Sequence, residues 1–188
     1  MDTSFFDLYT VKNFFDPEAR RDLIDEMRRA QSTPAPTYGK GDAAVDERVR
    51  RVNRIIPSSG SIENVRRRLE RQQSQIEHRF DVRLSCCEEP QFLFYRAGDF
   101  FVAHQDGNTG LINLESDRLR RVSVTVLLND HTDYEGGALV FSDYRTGKRV
   151  EFAGEAGTLL AFRSETTHEV TPVKSGERYS IVTWFRAA

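Results

Sequence analysis

The stretch Tyr95-Arg-Ala-Gly-Asp-Phe-Phe-Val-Ala-His104-Gln-Asp106 reads as the end of one strand, a turn at Ala97-Gly98-Asp99, and a second strand. It ends on an imidazole and a carboxylate two residues apart. On a strand, positions i and i+2 project to the same side, so His104 and Asp106 can reach one metal ion together.

Strand patterns continue downstream. Arg121–Asn129 alternates, with Val122, Val124, Val126 and Leu128 on one face and Ser123, Thr125 and Leu127 on the other. After the turn Asp133-Tyr-Glu-Gly-Gly137, short runs follow at Ala138–Ser142, Arg149–Phe152, Thr158–Arg163, His168–Val173 and Arg178–Arg186. With Gln91–Arg96 and Phe100–His104 these make eight strands. They follow two helical segments and predict a mainly β, α+β fold: an antiparallel sandwich or barrel with helices on one face.

Upstream, Leu8–Val11 reads as a short strand. Asp16 is a predicted N-cap with Pro17 at the first helical position, and Ala19, Leu23, Ile24, Met27 and Ala30 recur at helical spacing. The first helix is therefore expected over 17–30. Ser61 is the predicted cap of a second, over 62–79, with Ile62, Val65, Leu69, Ile76 and Phe80 as its apolar stripe. Its Arg66-Arg-Arg run, interleaved with Glu63, Glu70 and Glu77, reads as a solvated face. Residues 31–60 are punctuated by Pro and Gly and predict either a lid over a substrate or plain surface packing.

A chain of 188 residues fits one domain, with 1–89 as helical support and 90–186 as the β core. The balance of 27 basic and 29 acidic residues gives no electrostatic basis for a nucleic-acid or anionic-membrane partner. Cys86 and Cys87 are the only cysteines, and adjacent cysteines rarely meet disulfide geometry. Two buried or half-buried thiols in a reducing cytoplasm are expected. The start carries no signal-peptide pattern, and no apolar run is long enough to span a membrane.

His168, far along the chain, offers a third ligand. Two imidazoles and one carboxylate are the expected donor set of a non-haem Fe(II) site, with three positions left open for a chelating co-substrate and dioxygen. A structural zinc site would be expected to close with a fourth ligand. His131, in a loop, and His78, on the second helix, are not expected to supply it. The run from His168 to Arg178 predicts a hairpin turning at Lys174–Glu177. That hairpin sets Arg178 opposite Pro172 and roughly 13 Å from His168 at strand rise. The planar fork of an arginine suits a carboxylate at that distance, and Ser180, Val182 and Trp184 share its face.

Taken together, Tyr95-x-x-Gly98-x-x-Phe101-x-x-His104-x-Asp106, then His168 and Arg178, resembles the 2-oxoglutarate and Fe(II)-dependent oxygenases, and within them the prolyl 4-hydroxylase-like group. The likeness covers residues 90–186. Val124–Asp143 is also similar to bacterial hydroxylases of the iron-regulated type. The resemblance implies a double-stranded β-helix, or jelly roll, with two helices packed on one sheet. It implies Fe(II) held by His104, Asp106 and His168, and 2-oxoglutarate gripped at its distal carboxylate by Arg178. Tyr95 would hydrogen-bond co-substrate or substrate, and Thr125 and Ser180 are further candidates. Dioxygen is the oxidant and ascorbate a candidate reductant. Asp106 argues for hydroxylation, since related halogenases lack that carboxylate. Trp184 stands where nucleic-acid demethylases place a second arginine. The expected reaction is hydroxylation of an unactivated C–H bond in a peptidyl-prolyl or other protein substrate, or in an amino acid or metabolite. The alternative is a metal-binding β module in which Arg178 is structural and 2-oxoglutarate does not bind.

Overall fold

The alternating runs of the C-terminal half pair into two antiparallel sheets. The structure, a computed structural model, describes residues 5–36, 45–110, 115–152 and 154–188. In chain order its elements are β1 (Leu8–Val11), α1 (Pro17–Arg29), β2 (Gln31–Pro34), β3 (Arg50–Arg51), β4 (Asn53–Ile56), α2 (Ser59–Glu70), α3 (Gln73–Phe80), β5 (Leu84–Cys87), β6 (Gln91–Arg96), β7 (Phe100–His104), α4 (Glu115–Arg118), β8 (Arg120–Leu127), β9 (Tyr134–Gly136), β10 (Leu139–Asp143), β11 (Lys148–Phe152), β12 (Leu159–Arg163), β13 (His168–Val170) and β14 (Val173–Ala187). The larger sheet runs β1-β12-β8-β14-β6-β4-β2, and β5 and β9 also pair with β14. The smaller runs β11-β10-β13-β7-β3. All eight expected strands form. Four (β6, β8, β12, β14) lie in the larger sheet and four (β7, β10, β11, β13) in the smaller, which is the double-stranded β-helix.

The alternation in β8 sorts residues between two cores. Val122, Val124, Val126 and Leu128 pack against Leu23 and Met27 of α1, Val65 and Leu69 of α2, and Ile76 and Phe80 of α3. The other face of the larger sheet turns inward, where Leu93, Leu160 and Phe162 meet Leu139, Phe141 and Val170 of the smaller sheet. Asp16 caps α1 as its sequence predicts, accepting from the Ala19 N–H at 2.9 Å.

Three expectations about the backbone are corrected. The second helix is two helices, α2 and α3, and its cap is Ser58, whose hydroxyl accepts from the Ser61 N–H. The break at Arg71-Gln72 has no Pro or Gly to mark it, and the apolar stripe stays in phase across it. Residues 31–60 are not one loop, because β2, β3 and β4 lie within it as outer strands paired through to β6 and β7. Partners supplied from elsewhere in the chain, rather than local alternation, make them strands. Of the lid expected over 31–60, residues 37–44 lie outside the described residues.

The third correction concerns the predicted hairpin from His168 to Arg178. Strand β13 pairs with β10 and β7, whereas β14 pairs with β6 and β8. The chain changes sheets at Thr171-Pro172, where proline has no N–H to offer a ladder. Lys174–Glu177 lies within β14 and partly faces β9.

The Arg66 run is a charged surface, as expected: Arg66 pairs with Glu63 and Glu70, and Arg67 with Glu63. Both cysteines are free, but Cys86 is exposed and only Cys87 is buried. Burial pushes the Cys87 thiol up to about 11 against a hydrogen bond with Thr183. No helix among the described residues is long and apolar enough to cross a membrane.

One glycine lets the helix α4 close over the end of β7. A Cβ on Gly107 would lie 2.5 Å from the Asp117 carbonyl oxygen and 2.6 Å from Arg120 Cβ. G107A is expected to destabilise the fold by about 1–3 kcal/mol in urea titration, the cost of overpacking. G60A, whose Cβ meets only Ser58 Oγ at 3.9 Å, is expected to be neutral or mildly stabilising in the same assay.

Candidate active site

His104 ends β7 and His168 begins β13, and the register sets them opposite each other on neighbouring strands. Cross-strand neighbours on one face are close enough for their side chains to meet, and the two rings lie 4.3 Å apart. Each Nδ1 has a main-chain carbonyl two residues back, Val102 at 2.8 Å and Thr166 at 2.9 Å. A carbonyl only accepts, so each Nδ1 carries the proton and each Nε2 keeps its lone pair for a ligand.

Asp106 completes the cluster. Its Oδ1 lies 3.5 Å from His104 Nε2 and its Oδ2 3.4 Å from His168 Nε2. Asp106 sits beyond the end of β7, so strand parity is not what aims it. Its backbone N–H donates to the Ser164 carbonyl at 2.9 Å, and its carboxylate accepts from Ser123 Oγ at 2.7 Å. The indole of Trp184 also favours the ionised form of that carboxylate. One ligand atom from each of the three residues lies within 4.8 Å of the others. Atoms about 2.1 Å from a common ion and at right angles to each other lie about 3 Å apart, so the donor set fits a divalent cation with little adjustment.

The protonation states suit the same role. Burial, aided by neighbouring His104, lowers the His168 pKa from 6.5 to about 4, against the pull of Asp106. Burial pushes the Asp106 carboxyl up, but His168, His104 and the donors around it more than offset this and hold it well below the usual carboxylate range. A neutral imidazole and an ionised carboxylate are the forms that bind metal.

The cluster opens on a cavity of about 190 Å³ whose lining includes all seven residues singled out from the sequence: His104, Asp106, His168, Arg178, Tyr95, Ser180 and Thr125. Arg178 is 2% exposed and faces Tyr95 across β6 and β14. Its guanidinium lies 5.0 Å from the Tyr95 ring centre, and Nη1 donates to Ser180 Oγ at 3.0 Å. No acidic side chain among the described residues forms an ion pair with it, and its buried Nε has no acceptor. Burying a cation without a counter-charge is costly, and an anionic ligand in the cavity would supply one.

Sequence reasoning assigned no role at the site to several of its neighbours, although it quoted Phe101 in the motif and set Trp184 on the face of Arg178. Phe101 stacks on the His104 ring at 3.6 Å, and the Arg50 guanidinium lies 4.7 Å from the other ring centre of that pair, Phe101. Arg120 lies 3.9 Å over the Trp184 ring and pairs with Glu88 at 2.8 Å. Strand parity with Thr125 marked Ser123 as facing inward, but nothing local marked Ser164 or Glu88. His131 pairs with Asp130 at an exposed turn, and His78 is exposed on α3, so neither joins the cluster.

Residues 90–186 match the sequence profile of the 2OG-Fe(II) oxygenase superfamily. A PKHD-type hydroxylase of Shewanella oneidensis is 38% identical over 100 residues, which is 52% of this chain and 42% of that relative. The matched segment thus spans less than half of the relative's length. Among solved structures, a Pseudomonas putida prolyl-4-hydroxylase aligns over 100% of this chain and 96% of its own, with a TM-score of 0.74 and 24% identity. A Trichoplax adhaerens prolyl hydroxylase, in complex with a hypoxia inducible factor peptide fragment, aligns over 97% of this chain and 84% of its own, with a TM-score of 0.72 and 18% identity. At these identities the two structures speak for the fold alone.

The His168 shift has a consequence for stability. Its pKa is lower folded than unfolded, so between pH 6.5 and about 4 the unfolded chain binds the extra proton. Stability therefore falls as pH falls through that window, by up to about 3 kcal/mol from this group. Urea midpoints of chelator-treated protein are expected to drop across that range, and H168Q to flatten the dependence.

Proposed function

Because the chain belongs to the 2OG-Fe(II) oxygenase superfamily, we propose that it is an Fe(II)- and 2-oxoglutarate-dependent dioxygenase that hydroxylates an unactivated C–H bond, with a prolyl or other residue of a peptide as its substrate. The observation that carries the co-substrate is the buried Arg178, unpaired by any acid among the described residues, in the cavity that also holds the His104–Asp106–His168 cluster. Likeness to prolyl hydroxylase folds over nearly the whole chain supports the peptide reading. Free thiols at Cys86 and Cys87 support a reducing, cytoplasmic setting, and ascorbate is the proposed reductant.

In this reading His104 and His168 offer Nε2, and Asp106 a carboxylate oxygen, to the ion. Arg178 grips the distal carboxylate of 2-oxoglutarate with its planar fork, and Ser180 orients that fork from the next inward position on β14. The Tyr95 ring braces the guanidinium, and burial raises the phenol's pKa, so Tyr95 stays a neutral hydrogen-bond donor. Leu93, Leu139, Val170 and Val182 line the same cavity and keep water from the bound acid. Fe(II), when bound, supplies the coupled chemistry in which 2-oxoglutarate is decarboxylated to succinate and one oxygen atom of dioxygen becomes the product's hydroxyl.

Anaerobic titration of metal-free protein with Fe(II) and then 2-oxoglutarate is expected to give a visible charge-transfer band that needs both, and H168A is expected to abolish it. R178A is expected to weaken 2-oxoglutarate at least about 30-fold, the lower end of the cost of removing one partner of a buried charged pair. Fe(II) binding without the band would instead favour a metal-binding module.

A further inference from the structure

Behind Asp106 stands a pair of buried hydroxyls. Ser123 Oγ donates to Asp106 Oδ2 at 2.7 Å and lies 3.0 Å from Ser164 Oγ. The two serines are 2% and 0% exposed. The direction of the chain follows from the groups. An ionised carboxylate only accepts, so Ser123 gives its single proton to Asp106. Its oxygen is then the acceptor for Ser164. The hydroxyls thus form a one-way relay of donors from Ser164 through Ser123 to Asp106, and each bond polarises the next.

The main chain holds Asp106 independently of these hydroxyls. The Ser164 carbonyl accepts the backbone N–H groups of Asp106 at 2.9 Å and Gly107 at 3.1 Å, and the Ser164 N–H donates to the Arg121 carbonyl at 3.0 Å. The loop after β7 is therefore tied to β8 and the end of β12 without help from either side chain. What the hydroxyl of Ser123 adds acts on the carboxylate itself.

A carboxylate can meet a metal ion through one oxygen or through both. On a six-coordinate ion, two imidazoles and one oxygen leave three positions, and two oxygens leave two. A chelating 2-oxo acid takes two, so dioxygen needs the third. Oδ1 and Oδ2 of Asp106 both lie within 3.5 Å of a histidine Nε2. Distance to the histidines alone does not select between the two modes, but the bond from Ser123 reaches only Oδ2.

We propose that Ser123, backed by Ser164, is a positioning residue that engages Oδ2 of Asp106 so that the carboxylate meets the ion through Oδ1 alone, keeping open a coordination position. The proposal rests on the Fe(II)/2-oxoglutarate reading of the site. It distinguishes Ser123 from a residue that only stabilises the fold, because its loss changes the ligand geometry of a protein that still folds.

The test is titration of metal-free wild type, S123A, S123T, S164A and H168A with Co(II), whose visible bands report coordination, alongside melting of each metal-free protein. S123A is expected to melt near wild type, to bind Co(II) about 10-fold or more weakly, as loss of a group that orients a ligand does, and to show bands of altered position and intensity. S123T, which keeps the hydroxyl, is expected to restore the wild-type spectrum. S164A is expected to shift the same readouts in the same direction by a smaller factor, and it carries the test if S123A does not fold. Wild-type affinity and bands in S123A overturn the proposal, as does a loss of binding that merely tracks loss of folded protein with the spectrum unchanged. Unimpaired Co(II) binding in H168A overturns the metal site itself, so the two failures are told apart.

Discussion

Strand β14 is hydrogen-bonded along both edges, to β6 through Arg178↔Tyr95 and to β8 through Ser180↔Leu127, and the rest of the architecture depends on that double register. Tyr179, Ile181 and Phe185 go to the core under the helices, while Arg178, Ser180, Val182 and Trp184 line the cavity. A slip of one residue would exchange the two sets, because side chains alternate with a period of two. It would bury the guanidinium beside Val124 and Val126 of β8 and turn Tyr179 and Ile181 into the cavity. Two ladders that each demand the same phase make that slip costly. The position of this buried cation, which no acid among the described residues pairs, follows from backbone pairing, not from any contact it makes itself.

The site spans both sheets. His104 and His168 belong to the smaller sheet, where their strands are direct neighbours. Arg178 belongs to the larger. Asp106 follows a strand of the smaller sheet but is bound through Ser123 and Ser164 to strands of the larger. Negative charge at Asp106 and positive charge at Arg178 therefore stand apart in one cavity, each held by groups that suit it. Asp106 has the Ser123 hydroxyl as a donor to its carboxylate and the Trp184 indole beside it, and its own backbone N–H is bound to the Ser164 carbonyl. Arg178 has an aromatic face and a hydroxyl acceptor but no carboxylate among the described residues. A dianionic chelator, reaching from a metal ion beside Asp106 to Arg178, complements both.

Much of this was legible from the chain because it rests on local pattern. Strict alternation in residues 121–129 announced which side of β8 faces which core, and parity on β14 put Ser180 and Trp184 beside Arg178. The helix at 17–29 announced itself through Asp16-Pro17. What could not be read was set by partners far away. β2, β3 and β4 carry no clean period and are strands because β6 and β7 offer edges to them. The run after His168 looked like a hairpin because a turn pattern says nothing about which sheet each arm joins, and Pro172 marks a crossing instead. The pair His104 and Asp106 was found for a reason that holds only in part: His104 is on a strand, but Asp106 is aimed by Ser164 and Ser123, which are far from it along the chain. No local signal encodes such a tie.

The spacing of the two sheets becomes, in this arrangement, a property of the site. His168 lies 4.7 Å from the ring of Phe162 on β12, edge to face, and Phe162 in turn lies 4.9 Å from Phe141 on β10. Phe141 and Phe162 are 0% and 1% exposed, and Leu160 and Val170 fill the space around them. These side chains hold apart the sheet that bears the histidines and the sheet that bears Arg178. A close-packed interior transmits a change of even one methylene to its neighbours. The same aromatic contacts that stabilise the jelly roll thus set the distance over which a chelating acid must reach. A substitution deep in this core acts on the geometry of the site without touching metal or co-substrate.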